Sequence, residues 1–543
     1  MKSLIYFTSK IDSQLWLLFV LSIFVWVPLL QPAYFFNAHD SQHSIFYLVE
    51  FDQTWRDGYL WPRWSPDFAF GYGYPLFNIY APLAIYFAEI IHLLGASMVS
   101  SIKTVYVFAT IGSGLTMYGF VQRLFGKNAG LLAGVVYMYA PFHLVEIYVR
   151  SAYAEYVSLA LLPLVLWMFT ELTARPNMQH LALAGGSYGL LALTHHTSFF
   201  TFTPFLIIYI VALIIGKITK ESQSYTKNAE STTFICLKDV FLLAGFNLGA
   251  GILGIALAGI YLVPVIFERQ YIQVEQWTSE SYTFWQHFVY GSQFLSPFWG
   301  YGYAGIGLAD DMSYQIGIVI YGLLVFAFIC LIGMQNKHVP HFKIFFVAVI
   351  LSMWLMTAYA ETFWQIIPIT ELIQFPWRLL IITTLCASVV IGALVATFSD
   401  EISTIFLLCI ITPLQVATVL SGTAHVETIR HGGASDEIHV ISNGATIQFF
   451  TYNFPGWQVF LNGELIPHHP EPPYGLITVD IPSGEHTVLL KMGTTLHRTV
   501  GSILSLVALI MIIGLVNLNP QPFPCYEWET KIPISLWWKD RMS

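Results

Sequence analysis

Long apolar runs separated by short polar segments dominate the chain, and the runs recur at the length of a membrane crossing. Twelve fall near 14–32, 102–122, 129–147, 154–173, 180–195, 198–216, 239–266, 315–334, 342–360, 378–398, 403–421 and 499–518. Each is close to the ~20 residues that a helix needs to span a bilayer. From 424 to 498 the pattern changes to short alternating segments, EIHVI, TIQFFTY, WQVFLNG, YGLITVDI and HTVLL. Asn462-Gly463 predicts a tight hairpin there, and Ser483-Gly484 a second turn. The pattern therefore predicts a mainly α protein, a polytopic transmembrane helical bundle of about twelve spans, with a small β-domain hung between the last two helices.

Basic residues orient the bundle, because cytoplasmic loops collect Lys and Arg. Lys2 and Lys10, Arg123 and Lys127, the lysines of 217–238, Lys337 and Lys343, and Lys531, Lys539 and Arg541 all mark inner segments. These agree only if 14–32 leads out and 102–122 leads back. A crossing by the apolar stretch 75–97 would break that parity. This stretch, with Pro75, Pro82, Glu89 and His92, is therefore expected to lie at the outer interface or re-enter. The predicted domains are a transmembrane module over 1–423, with a first outer loop at 33–101, an extracytoplasmic β-domain at 424–498, and a last helix with a cytoplasmic tail at 499–543. Both termini fall in the cytoplasm and the first apolar run reads as an uncleaved helix. Within the outer loop, Ser41 to Asp57 reads as an amphipathic helix with Ile45, Leu48, Val49 and Trp55 on one face.

Composition agrees. Hydrophobic residues make up 56% and charged residues 10% of the chain, against about 25% charged in a soluble domain, and mean hydropathy is +0.63. A net charge of −9 excludes the basic signature of a nucleic-acid binder. The five cysteines show no CxxC spacing and none falls in a predicted outer loop, so neither a disulfide framework nor a cysteine metal site is expected.

The few charges gather on the predicted outer side. Asp40, Glu50, Asp52, Arg56, Asp57, Arg63 and Asp67 follow the first span. Arg150 and Glu155 of RSAYAE, the pair His195-His196, Glu268-Arg269, Glu361, Glu371 and Arg378 of QFPWR join them. Ionisable groups near membrane depth are costly and usually face a cavity, although a wet loop carries charge for no special reason. Asp40 is either a helix N-cap or a general base for an acceptor hydroxyl. His39 precedes it. Arg150 and Arg378 suit phosphate, which guanidinium grips bidentately. The alternatives are an ion pair of Arg150 with Glu155 or Glu146, and an interface anchor for Arg378. For Arg63 and Arg269 an ion pair is the favoured reading. His195-His196 could hold a divalent metal with Asp40 or Glu155, but neighbouring helical residues diverge by about 100°, which favours a structural or substrate-bonding role. The aromatics of WPRW and FGYGYP read as an interfacial belt, with a sugar-stacking surface as the alternative.

HD after the first helix, WPRW followed by GYGYPLFNIYAPL, then APFHLVEIYVRSAYAE, LTHH and QFPWR together resemble a group of bacterial multispanning proteins. That group is labelled "6-pyruvoyl-tetrahydropterin synthase-related" and is similar to a branch of the GT-C glycosyltransferases. The resemblance covers nearly the whole chain, including FPGW…NG…PSGEHTV in the β-domain. It implies a GT-C-like membrane module with juxtamembrane helices in a large first outer loop. It implies a polyprenyl-phosphate sugar as donor, a glycan or protein as acceptor, and an aspartate after the first helix as base, the position of Asp40. His39, Arg150, Glu155, His195, His196 and Arg378 fall in matching motifs and are expected to bind substrate. The second outer loop has Arg150 and Glu155 where a DxD-type pair would stand, which leaves metal dependence open. The expectation is a multi-pass glycosyltransferase of the plasma (cell inner) membrane. The alternatives are a flippase or transporter of lipid-linked glycans, or a non-catalytic glycan-binding scaffold.

Overall fold

The computed structural model describes residues 13–31, 34, 38–225, 232–272, 283–305, 307, 310–333, 339–366, 373–395, 417–432, 435–452, 457–471 and 476–492. The chain divides into two compact units, a helical one over 9–410 and one over 1–8 and 411–543 that contains a sheet.

The helical unit comprises α1 (Ser13–Trp26), α2 (Ser41–Arg56), α3 (Leu83–Leu93), α4 (Met98–Phe125), α5 (Lys127–Tyr139), α6 (Tyr153–Ala174), α7 (Met178–Thr194), α8 (His196–Tyr225), α9 (Thr232–Leu257), α10 (Gly259–Glu268), α11 (Ile318–Gly333), α12 (Val339–Leu355) and α13 (Leu380–Val395). By length and composition six stretches among the described residues can cross a membrane: Ser13–Leu30, Met98–Phe125, Tyr153–Ala174, His196–Thr219, Lys238–Leu257 and Pro376–Val395. Two bent pairs, Lys127–Tyr139 with Pro141–Val149 (44°) and His341–Leu355 with Ala358–Ile366 (91°), raise the number to eight.

The described residues therefore carry fewer full-length spans than the twelve apolar runs suggest. Hydropathy records greasiness but not where a helix breaks. The run 239–266 breaks at Ala258 between α9 and α10. The run 315–334 yields a span-like helix only over Ile318–Cys330. The run 180–195 folds as a helix of 17 residues. Of the run 403–421, residues 417–421 are strand and the rest lies outside the described residues, as does 499–518. The stretch 75–97 gives one turn at Leu76–Ile79 and the 11-residue α3. At 1.5 Å per residue, α3 is roughly 16 Å long, about half a bilayer core.

Packing in the bundle follows from small residues. Pro376–Val395 is buried over nearly its whole length and packs against α5 and α12. On the face between α7 and α9, Gly185 and Gly189 meet Ala250 and Gly254, and a Cβ added at Gly185 or Gly189 would stand 2.8 Å from the carbonyl oxygen of Ala250 or Gly254 respectively. Such four-residue small spacings let helix backbones approach where lipid removes the hydrophobic drive for association.

The loop helix α2 buries Leu48 and Phe51 beside Ser44, Glu50 and Thr54. Val49, placed with Leu48 on one face by the sequence pattern, is 39% exposed, because the buried stripe runs through Ser41, Ser44, Leu48 and Phe51. Most charges of the opening stretch hold the loop together. Arg56 Nε donates to both Asp52 oxygens at 2.7 and 2.8 Å. Glu50 accepts the Asp67 N–H at 3.1 Å. Arg63 donates to Asn78 at 2.8 Å and to the Ile260 carbonyl at 3.1 Å, where a carboxylate partner was expected. Buried Glu89 of α3 lies beside Asp52, and burial, then that neighbouring charge, pushes its carboxyl up to about 7.

The sheet unit is antiparallel, with strands β1 (Ala417–Gly432), β2 (Ser435–Tyr452), β3 (Trp457–Leu461), β4 (Glu464–Ile466), β5 (His469–Glu471) and β6 (Leu476–Met492) in the order β1-β2-β6-β3-β4 and β5 beside β6. Asn462 and Gly463, at φ of 50° and 90°, close the hairpin between β3 and β4. Ser483-Gly484 is not a turn. It lies inside β6 and pairs with Ser442 and Asn443 of β2. Gly444 and Gly484 both take positive φ, 93° and 132°, so the two strands bend together. The buried residues run Ile438, Val440, then Ile447, Phe449 in β2, and Ile477, Val479, Ile481, then Val488, Leu490 in β6. The interval between buried residues is odd across both bends, Val440 to Ile447 and Ile481 to Val488, while the pairing of β2 with β6 shows no register shift there.

Two outcomes are expected. Gly189→Leu lowers the melting temperature in detergent by an amount equivalent to roughly 1–3 kcal/mol of overpacking, whereas Gly186→Ala, whose added Cβ meets nothing within 4 Å, does not. A carboxyl whose folded pKa is raised stabilises the fold below its unfolded value and loses that contribution as pH rises through the folded one. The melting temperature should therefore fall between pH 4.5 and about 7, and Glu89→Gln should flatten that slope.

Candidate functional site

The site is built where the first loop meets the segment after α5. His39 N–H donates to the Val149 carbonyl at 3.0 Å and Asp40 N–H to the Arg150 carbonyl at 2.8 Å. Main chain thus fixes the HD pair against the arginine loop. That loop is strained. Val145–Val149 is a π-helical turn closed by Arg150 N–H to Val145 O at 2.8 Å, and Ser151 sits at φ 51°. Gln374, four residues before Arg378, sits at φ 62°. Left-handed non-glycine residues and π turns cost energy and concentrate at functional sites.

Arg150 is buried and donates to Glu146 and, at 2.8 Å, to Glu155. Its guanidinium lies 4.6 Å from the Trp377 ring centroid. Arg378 donates to the Ile373 carbonyl at 2.8 Å and to Gln374 Oε1 at 3.1 Å, and lies over Phe375 at 5.0 Å. Among the described residues it has no carboxylate partner within ion-pair distance, and its Nε is buried without a hydrogen-bond partner. Asp40, Arg150, Glu146 and Glu155 all act on it electrostatically.

Asp40 occupies the N-cap position of α2, but its side chain makes no capping bond. The carboxylate is 48% exposed and lies 3.5 Å from His43 Nδ1; this contact raises the imidazole's pKa. His39 stacks on Tyr303, with ring centroids 4.4 Å apart. Burial, then the charge of Arg150, lowers its pKa. His195 Nδ1 is 2.7 Å from Ser198 Oγ. His196 Nδ1 is buried without a partner, and the two imidazoles are 5.6 Å apart. Both histidines lie within the field of Glu155 and Arg378.

The residues expected from sequence to form the site thus lie in one electrostatic neighbourhood: His39, Asp40, Arg150, Glu155, His195, His196 and Arg378. The ion pair weighed for Arg150 is real and uses both glutamates. The remaining outer charges do not join the neighbourhood. Glu268 accepts from Asn78 at 2.8 Å and Glu361 from Gln365 at 3.0 Å. Glu371 and the side chain of Arg269 lie outside the described residues. Sequence reasoning missed His43, which an i, i+3 reading from Asp40 would have found. It also missed Tyr303, which arrives from a distant loop, and His143, whose ring nitrogens are both buried without a partner. As to a metal, no three His, Cys, Asp or Glu side chains among the described residues converge as ligands would. Glu155 is held by Arg150, so the described residues do not fit a metal.

The sequence profile of a family described as "6-pyruvoyl-tetrahydropterin synthase related domain; membrane protein" matches residues 77–424. An uncharacterized protein of Lactococcus lactis subsp. cremoris (strain MG1363) is 24% identical over 208 residues, 37% of this chain and 34% of that one. Two crystal structures of the Archaeoglobus fulgidus oligosaccharyltransferase are similar at low level. One is tethered to an acceptor peptide containing the NVT sequon (11% identity, TM-score 0.41, 72% of this chain and 50% of that one). The other is a complex with Zn and sulfate (13%, 0.38, 73% and 51%). The chain spans about a third of the length of the curated relative and half that of the solved chains.

Removing Arg150 would leave Glu146 and Glu155 buried together. Arg150→Ala is expected to cost about 3–5 kcal/mol, seen as a large drop in melting temperature and in the yield of monodisperse protein. Asp40→Asn, at a half-exposed carboxylate, should leave both nearly unchanged.

Proposed function

The chain belongs to the 6-pyruvoyl-tetrahydropterin synthase-related family of membrane proteins, and from the site that its fold assembles we propose that it is a membrane glycosyltransferase. In this reading a sugar moves from a polyprenyl-phosphate donor to an acceptor hydroxyl at the outer membrane face, with Asp40 as general base. One observation carries the reading: a half-exposed carboxylate is pinned by main chain to a buried arginine loop, beside a second arginine without a described carboxylate partner. His196 Nδ1, Trp377 Nε1 and Arg378 Nε are all buried there without hydrogen bonds. Native proteins rarely leave such groups unpaired, so water or a polar ligand has to meet them.

The chemistry divides among these residues. Asp40 accepts the proton of the acceptor hydroxyl as that oxygen attacks the anomeric carbon. The bond from that carbon to the phosphate oxygen breaks, through an oxocarbenium-like transition state. A single displacement inverts the configuration. Negative charge develops on the departing polyprenyl phosphate, where a guanidinium stabilises it most. Arg378 is the better placed of the two arginines for this, because the charge of Arg150 is already met by two glutamates. Arg150 acts as a positioning residue, fixing Asp40 through its own carbonyl. His43 can take the proton on from Asp40 to solvent.

The test is transfer by purified full-length protein given a polyprenyl-phosphate sugar. Asp40→Asn is expected to lower the rate roughly 10²- to 10⁴-fold, and Arg378→Gln to weaken both binding and rate. Movement of the lipid across vesicles without transfer would instead support a transporter. Glycan binding without either activity would support a scaffold.

A further inference from the structure

The segment between α10 and α11 is tied to the bundle rather than loose. Val289 N–H bonds the Met356 carbonyl at 2.8 Å, and within the segment Ile316 N–H bonds the Phe294 carbonyl at 3.0 Å. A short antiparallel bridge joins Tyr301 to Met312. Between these anchors lies a cleft of about 500 Å³, lined by Ser292, Gln293, Ser296, Phe298, Asp310, Met312, Ser313 and Tyr314. That volume is in the usual range for small-molecule sites, about 300–1,000 Å³.

The lining is selective. Asp310 is oriented by three donors: Gly305 N–H at 2.7 Å and Tyr314 O–H at 3.1 Å on Oδ1, and Gln293 Nε2 at 2.7 Å on Oδ2. A carboxylate accepts about four hydrogen bonds, so Oδ2 keeps one site. Three serine hydroxyls and two aromatic rings complete the wall, and among the described residues no lysine or arginine lines it. A phosphate would have no counter-charge there and would face Asp310. A neutral, hydroxyl-rich ring would have both a rigid acceptor and apolar faces. The cleft also adjoins the site. The Tyr314 ring is 6.1 Å from that of Trp377, on which Arg150 lies, and Tyr303 of the same segment stacks on His39.

We propose that this cleft is a saccharide subsite, in which Asp310 accepts a hydroxyl hydrogen bond from a neutral sugar ring of one of the two substrates. The inference rests on the transferase reading only in calling that ring a substrate; binding itself does not require transfer. It divides the labour spatially, with phosphate met by Arg378 and the uncharged sugar by the 283–317 segment.

The test is saturation-transfer NMR on the full-length protein in nanodiscs with the methyl glycosides of glucose, galactose, mannose, rhamnose and N-acetylglucosamine, and with maltotriose. At least one should bind. Asp310→Asn, which keeps the shape of the cleft, should weaken it about tenfold, the size of a lost charge-assisted hydrogen bond. Ser296→Trp, which fills the cleft, should abolish it. Competition by a polyprenyl-phosphate sugar assigns the ring to the donor, and independent binding assigns it to the acceptor. Absence of binding by all six probes, or binding indifferent to Asp310→Asn in protein that melts normally, overturns the proposal. Binding that persists where no donor supports transfer would refute the transferase reading and leave the subsite standing.

Discussion

The site depends on one buried charge knot. Arg150 is enclosed with Glu146 and Glu155 and covered by Trp377. Burying a guanidinium and two carboxylates is costly, and such a group holds only when each member meets a partner. Here the cost is met by geometry drawn from three elements: the π turn after α5, the first turn of α6, and the short helix before α13. Because the charges must meet, those elements must meet, and the carbonyl of Arg150 is left where Asp40 can use it. The knot is therefore more a device for position than a source of stability.

Much of this was legible in the sequence. The apolar runs gave the bundle, and the scarcity of charge elsewhere made Asp40, Arg150, Glu155, His195 and Arg378 conspicuous. What sequence could not assign was role. The outer loop's charges look alike on paper, yet Asp52 and Arg56 serve each other and Glu50 serves a backbone N–H, while Asp40 alone faces the knot. That difference arises from which turn of α2 each residue occupies. Arg150 and Arg378 likewise looked equivalent as phosphate binders until their partners were seen.

The misreadings share a physical cause. Hydropathy saw an apolar run at 403–421, but its last five residues begin a long strand, because β-branched and apolar residues serve either form. Ser483-Gly484 has the composition of a turn, yet a continuous ladder to β2 overrides it. Tyr303 and the Asp310 cleft have no local signature at all. Their meaning comes from a segment folded back over the bundle, a tertiary fact that periodicity does not contain.

The paired bends in β2 and β6 carry an evolutionary consequence. Both strands change parity at the same height, so the sheet tolerates length variation there only in concert. Loss of one residue near Gly444 alone would shift Ile447 out of register with Val479, whereas a matching loss near Gly484 would restore the pairing of the two strands. Homologous sheets should therefore gain or lose residues at these two places together, as coupled insertions and deletions rather than isolated ones.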